Sequence, residues 1–110
     1  MASSAEWAWA AGIFEGAGTI VLVNGGRDLR LSLHLTDGDV ARRYAGIVGS
    51  RALGPYASPP TEHGTIRRPT YRCNLNGQRA IVALGEMWPW LSDRRRRRLM
   101  EIGFAVGLPG

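Results

Sequence analysis

The sequence predicts an α+β fold with the element order αββαββαα, in which helices back one face of a four-stranded antiparallel sheet. Three observations lead to this prediction. A helix rich in small residues breaks into a β-branched strand near residue 18, and apolar and polar residues alternate strictly from Leu29 to Thr36. A further strand is predicted from Ile66 to Leu75, and it alternates in the same way from Thr70 to Leu75. Each alternating strand presents one apolar and one polar face, as half-buried antiparallel strands do.

The first half of the chain gives a helix and a hairpin. The first helix is predicted over residues 5–17, because Gly16 and Gly18 interrupt the helical pattern. The β-branched residues 19–23 then form the first strand, and residues 24–27 form the turn to the second strand. That second strand has leucines on one face and hydrogen-bonding side chains on the other.

The second hairpin lies between two further helices. Thr36 or Asp37 can cap the second helix, which is predicted to end near Gly49. Residues 53–56 form a short third strand, and residues 66–75 form the fourth strand after a loop rich in Pro and Gly. Each of the two hairpins therefore has one polar face and one apolar face.

The last part of the chain predicts two helices separated by a proline. Asn76 can cap the third helix, which Pro89 ends, and Ser92 or Asp93 begins the last helix. Arg94–Arg98 occupies the first turns of that helix, where the helix dipole disfavours each exposed cation by about 0.3–1 kcal/mol. A docked phosphate backbone would offset this cost, and a solvated helix surface is the alternative interpretation.

Small residues recur every four positions in the first helix. Ala8, Gly12 and Gly16 therefore lie along one helical face, where missing side chains allow a second helix backbone to approach closely. The face is either a seam between two helices of different subunits or a small-residue contact within one domain. A seam between identical subunits would give a two-fold homodimer.

Composition favours a nucleic-acid partner inside the cell. The formal net charge is +5 and all 14 basic residues are Arg, whose forked donors suit phosphates and guanine edges. Codon usage in a GC-rich genome is the alternative explanation. No apolar run is long enough for a membrane span and no secretory signal is evident, so residues 1–110 are expected to form a single intracellular domain.

The few cysteine and histidine residues exclude several chemistries. Cys73 is the one cysteine, and its apolar-face position in the fourth strand predicts a buried, inert thiol. One cysteine and two widely separated histidines provide neither a zinc site nor a recognisable nucleophilic triad.

Residues 10–18 resemble the nine-residue motif of the LAGLIDADG homing endonucleases, and residues 87–92 resemble the break before that family's last helix. The resemblance extends over nearly the whole chain. It implies a saddle-shaped DNA-binding sheet and a homodimer that hydrolyses a long, near-palindromic duplex with Mg²⁺, in the service of intron or intein mobility. It also leaves open two other uses of the fold, a non-catalytic DNA-binding regulator and an intron RNA maturase.

One position departs from the family pattern. The eighth motif position is normally Asp or Glu and binds the catalytic metal, but here it is Ala17, beside the expected carbonyl ligand of Gly16. The sequence therefore predicts a form that binds DNA without cleaving it, through either a deliberate substitution or natural decay. The Glu15 side chain projects in a different direction from the side chain at position 17, so Glu15 is expected to have a structural role at the helix end. By the resemblance, Asp37 lies near the attacking water, with a helix N-cap as the equal alternative, and Arg94 lies near the scissile phosphate.

The polar side chains of both hairpins and of the last helix are predicted to contact duplex DNA. No membrane and no small-molecule substrate is expected. A one-residue bulge would invert the assignment of strand faces. The predicted contact residues are Arg27, Arg30, Ser32, His34, Arg67, Arg68, Thr70, Arg72, Asn74, Arg94 and Arg95.

Overall fold

The computed structural model describes residues 2–57, 63–64 and 68–101, and its elements follow the predicted order. A 3₁₀ turn, Trp88–Trp90, precedes the last helix. Within the described part of the chain, no helix is long and apolar enough to cross a membrane. The predicted α+β class is confirmed. The helices are α1 (Ser4–Ala17), α2 (Gly38–Val48), α3 (Gly77–Met87) and α4 (Asp93–Glu101), and the strands are β1 (Gly18–Val23), β2 (Asp28–Leu35), β3 (Leu53–Tyr56) and β4 (Thr70–Asn76).

Several boundaries differ from the predicted ones by one residue, and the start of β4 differs by four. Helix α3 ends at Met87, and Pro89 lies inside the 3₁₀ turn, where a residue without an N–H is tolerated. Strand β4 begins at Thr70 rather than at residue 66. Residues 65–67 lie outside the described residues, and residues 68–69 are described but belong to no strand.

Both ends of α1 are fixed by local contacts. At the start, the Ser3 hydroxyl accepts a hydrogen bond from the Glu6 N–H at 3.1 Å, and the Glu6 carboxylate accepts one from the Ser3 N–H at 2.9 Å. These hydrogen bonds lower the pKa of Glu6. At the other end, a Cβ on Gly18 would overlap the Phe14 ring, so only glycine allows the strand to leave the helix here.

The four strands form one antiparallel sheet in the order β1-β2-β4-β3. The central pair places Leu31 opposite Leu75 and Leu33 opposite Cys73, and all four side chains are buried. Helices α1, α2 and α3 contact this sheet. The core consequently lies between the leucine face and the helices. Its largest fully buried side chains are Phe14, Leu31, Leu33, Tyr44, Leu84, Met87 and Leu99.

Cys73 occupies the buried position that the strand pattern predicted. Its thiol is free and lies 3.5 Å from the carbonyl oxygen of Ala41, to which it can donate a hydrogen bond. Burial raises the pKa of the Cys73 thiol, which disfavours the reactive thiolate.

Candidate functional site

The sheet face that points away from the core is lined by polar pairs on the two central strands. Residues directly opposite each other in an antiparallel pair project to the same face. The sequence alternation predicted that Arg30, Ser32 and His34 lie on this face, and the structure places them there. The register pairs Arg30 with Asn76, Ser32 with Asn74, and His34 with Arg72.

Two of these pairs are joined by hydrogen bonds between side chains. The Nε of Arg30 donates to the Oδ1 of Asn76 at 2.7 Å, and the hydroxyl of Ser32 donates to the Oδ1 of Asn74 at 2.6 Å. Within the described residues, the terminal Nη groups of Arg30 have no partner. The guanidinium group is thus held at one edge while its forked end stays available.

The outer strand β3 supports the second arginine of this face. Arg72 lies over the Tyr56 ring, with its guanidinium carbon 4.9 Å from the ring centroid. Tyr56 pairs with Thr70, which is half-buried on the same face. Arg27 is exposed in the β1–β2 turn, and Arg68 is exposed just before β4. The predicted contact Arg67 lies outside the described residues.

Sequence reasoning missed Asn76 as a member of this face. Asn76 does occupy the N-cap position of α3, but its side chain makes no capping hydrogen bond and accepts from Arg30 instead. The predicted cap is therefore wrong at the level of the side chain. The signal was present, because extending the alternation of Arg72 and Asn74 by two residues reaches Asn76.

The end of α1 has no carboxylate available for a metal. Ala17 is half-buried and has no side-chain oxygen, and Gly16 is exposed. The Glu15 carboxylate accepts a hydrogen bond from the Ser92 N–H at 2.8 Å and lies 3.4 Å from the Nε of Arg95. These contacts give Glu15 the structural role expected from the sequence. Within residues 2–57, 63–64 and 68–101, no three His, Cys, Asp or Glu side chains group as metal ligands.

Hard divalent cations such as Mg²⁺ require oxygen ligands, usually including a carboxylate. The end of α1 offers backbone carbonyls and a carboxylate already bound to another helix. The residues present therefore do not fit a catalytic Mg²⁺ site.

Arg95 binds the C-terminal end of α1. Its Nη2 lies 3.2 Å from the carbonyl oxygen of Phe14, 3.3 Å from that of Glu15 and 2.8 Å from that of Gly18. The guanidinium carbon also lies 4.7 Å from the centroid of the Phe14 ring. A cation at the carbonyl end of a helix satisfies unpaired acceptors and interacts favourably with the helix dipole. The structure therefore places this predicted DNA contact inside the chain, between α1 and α4.

Arg94 lies at the same end of α1 but remains exposed. It lines a groove of about 330 Å³ together with Arg95, Arg98 and the first residues of β1, 18–20. The structure thus brings Arg94 beside the strand that directly follows Ala17. The basic side chain and the altered motif position, which are distant in sequence, share one end of the molecule.

Asp37 caps α2. Its Oδ1 accepts hydrogen bonds from the N–H groups of Asp39 at 2.9 Å and Val40 at 3.1 Å. The N-cap interpretation is confirmed, and the catalytic interpretation stays a prediction. Because Gly18 pairs with Leu33, the end of β2 and Asp37 beyond it lie toward the end of the hairpin that carries Ala17.

The small-residue face of α1 points away from the core. A Cβ on Gly12 or Gly16 would meet no atom within 4 Å, and both glycines are exposed, while Ala8 is half-buried. Ala10 and Phe14, on the opposite side of the helix, are fully buried. Among the described residues, no element packs closely on either glycine.

Comparison with solved structures shows a related fold. The chain is similar to the homing endonuclease I-CvuI, crystallised in complex with the I-CreI target in the presence of Mg with the DNA not cleaved. The TM-score is 0.54 and the identity is 14%, over 89% of this chain and 64% of that chain. This chain therefore spans less than two thirds of I-CvuI, and the similarity shows the fold. No family model and no curated protein matches the sequence.

Replacing Arg95 by Gln should destabilise the fold by about 2–3 kcal/mol, since three carbonyls lose a charged donor and Glu15 loses its cation. Urea unfolding measures this change. Arg97→Gln is the matched control, because Arg97 is exposed on the same helix and should change stability by less than about 0.5 kcal/mol. Equal unfolding midpoints for the two variants would contradict the assigned role of Arg95.

Proposed function

We propose that this chain is a DNA-binding protein of the LAGLIDADG homing endonuclease type, which binds a long, near-palindromic duplex as an intracellular homodimer without cleaving it. The observation that supports this proposal most directly is the polar face of the β2–β4 pair. The fold of the chain resembles that of a homing endonuclease crystallised on a DNA target. The net charge of +5 agrees with a polyanionic ligand.

The polar face has the chemistry for reading a major groove. A two-stranded β-ribbon fits the groove, which is about 12 Å wide, and arginine forms paired hydrogen bonds with the O6 and N7 atoms of guanine. Arg30 is restrained by Asn76 through Nε, so its Nη donors are oriented before binding. Restraint of this kind lowers the entropy lost when the side chain engages a base. Arg30 is therefore proposed as a base-reading residue and Asn76 as its positioning residue.

Arg30→Gln should reduce the ratio of affinities for the preferred site and for random duplex by roughly 10-fold or more, the range of one lost bidentate base contact. Asn76→Ala, which frees the Arg30 side chain, should give a smaller loss of the same ratio. Competition binding between the two duplexes measures both effects. Arg43→Gln removes the same charge from α2, where Arg43 lies over the Trp9 ring, and should leave the ratio unchanged. An unchanged ratio in Arg30→Gln would refute the base-reading role.

The homodimer is proposed to form along the glycine face of α1. Gly12 and Gly16 leave an open strip on which the same strip of a second copy can pack with close backbone approach. A two-fold pair of sheets would double the length of duplex that is bound and would require an inverted repeat in the DNA.

Gly12→Leu should convert the dimer to a monomer. The subunit itself should remain folded, because a Cβ at Gly12 meets nothing within the described residues. Light scattering coupled to size-exclusion chromatography gives the molar mass. Gly46→Leu is the matched control, since Gly46 lies on α2 with equally open space, and this variant should remain dimeric. A Gly12→Leu protein that stays dimeric would place the subunit interface elsewhere.

Ala17 is the basis for proposing a non-cleaving form. Its side chain provides no ligand for Mg²⁺, and the neighbouring Glu15 carboxylate is bound to Ser92 and Arg95. The same observation supports the second candidate, a natural DNA-binding regulator with this fold. An RNA maturase is distinguished by a preference for structured RNA over duplex DNA.

Ala17→Glu should introduce Mg²⁺-dependent cleavage of the duplex that the unaltered chain only binds. Ala17→Gln adds a side chain of the same length without charge and should bind but not cleave. A gel assay of bound and cut duplex, with and without Mg²⁺, separates these results. If Ala17→Glu binds normally and does not cut, other parts of the catalytic machinery are missing and the regulator is the better assignment. Cleavage by the unaltered chain would refute the non-cleaving proposal.

A further inference from the structure

A pocket of about 400 Å³ lies between the end of α2 and the start of α3, next to the polar face of the β2–β4 pair. Its charged side chains are Arg51 and Arg79, and Ser50, Asn74 and Asn76 contribute polar groups. We propose that this pocket binds a phosphate of the DNA backbone through the side chains of Arg51 and Arg79. The inference rests on the proposed DNA-binding function and adds a site that holds the backbone rather than the bases.

The positive charge of this pocket is uncompensated. Within the described residues, the side chains of Arg51 and Arg79 have no ion pair and no hydrogen bond, and none of the residues that line the pocket is acidic. Other arginines of the chain do pair, such as Arg42, whose Nη2 lies 2.6 Å from the carboxylate of Asp39. Two unpaired guanidinium groups at one pocket attract an anion, and their forked donors match the oxygens of a phosphate.

The fold fixes the backbone immediately before Arg51. Gly49 ends α2 in the left-handed region with φ of 82°, and its N–H donates to the carbonyl of Ala45 at 3.0 Å. The hydroxyl of Ser50 then donates to the backbone carbonyl of Asn74 at 2.8 Å. This bond attaches the connection between α2 and β3 to β4. Arg51 therefore follows an anchored residue directly.

The pocket lies beside the outer edge of the ribbon proposed to enter the major groove. Strand β3 pairs with β4 from Tyr56 only as far as Leu53, opposite Arg72. Asn74 and Asn76 belong to the polar face and also line the pocket. When a ribbon occupies a major groove, the phosphates that border the groove run along the ribbon's edges. If the polar face occupies a major groove, such a phosphate would pass the pocket that Arg51 and Arg79 line, which favours a backbone phosphodiester over a free phosphate.

The test uses the full chain and a long duplex of random sequence, titrated over a salt series of about 50–200 mM. Arg51→Gln and Arg79→Gln should each weaken binding roughly two- to fivefold, as expected for one exposed charge contact. Each should also reduce the slope of log affinity against log salt by about 0.9. Because phosphate contacts are independent of sequence, each variant should weaken binding to random and preferred duplexes equally. Arg42→Gln removes a charge that Asp39 already neutralises, so it should leave the slope nearly unchanged.

The possible outcomes distinguish failure of the phosphate site from failure of the proposed function. If the unaltered chain binds duplex and both pocket variants keep its salt slope, the backbone site is refuted while DNA binding stands. Failure of the unaltered chain to bind duplex refutes the proposed function and, with it, the duplex as ligand. A titration with inorganic phosphate alone tests whether the pocket binds free phosphate instead. Loss of inorganic phosphate binding in the variants, with the duplex slope intact, would assign the pocket to a free phosphate and overturn the proposal. Unfolding midpoints equal to that of the unaltered chain establish that the variants fold.

Discussion

The antiparallel pairing of β2 with β4 determines the two faces on which the rest of the molecule depends. This register buries Leu31 against Leu75 and turns Arg30 and Asn76 to the opposite side. Because side chains alternate along a strand, a slip of one residue would expose the leucines and bury the polar pairs. Burial of each leucine side chain contributes about 1.5–3 kcal/mol, so the core holds the register and the register aligns the polar face. The core and the proposed DNA-binding surface are thus two consequences of one strand pairing.

The five consecutive arginines of α4 do not form a uniform basic surface. Arg95 binds the carbonyls at the end of α1, and Arg96 donates from Nε to the carbonyl of Trp88 at 3.0 Å and from Nη2 to that of Pro89 at 2.7 Å. These two residues hold the last helix against the rest of the fold. Arg94 and Arg97 are exposed. Counting the charges in the run therefore overestimates how many are free for a phosphate backbone.

The sequence predicted the elements because their patterns are local. Period-two alternation identified the polar face, and a helix followed by a β-branched segment located the junction near Gly18. The contacts of Arg95 with α1 join residues about 80 positions apart, and no local pattern indicates them. Asn76 was mistaken for a capping side chain because a cap is a local rule, whereas its actual partner, Arg30, is set by strand register. Long-range pairing decided each of these differences.

The most direct test of the central proposal is selection of bound sequences from a random duplex library by the unaltered chain, followed by sequencing of the bound pool. We expect enrichment of two inverted half-sites, since two copies of the polar face joined through α1 would read the same bases in opposite orientations. Enrichment of a site without inverted symmetry would contradict the homodimer. No enrichment at all, with tighter binding to structured RNA, would contradict the assignment of the polar face to duplex DNA.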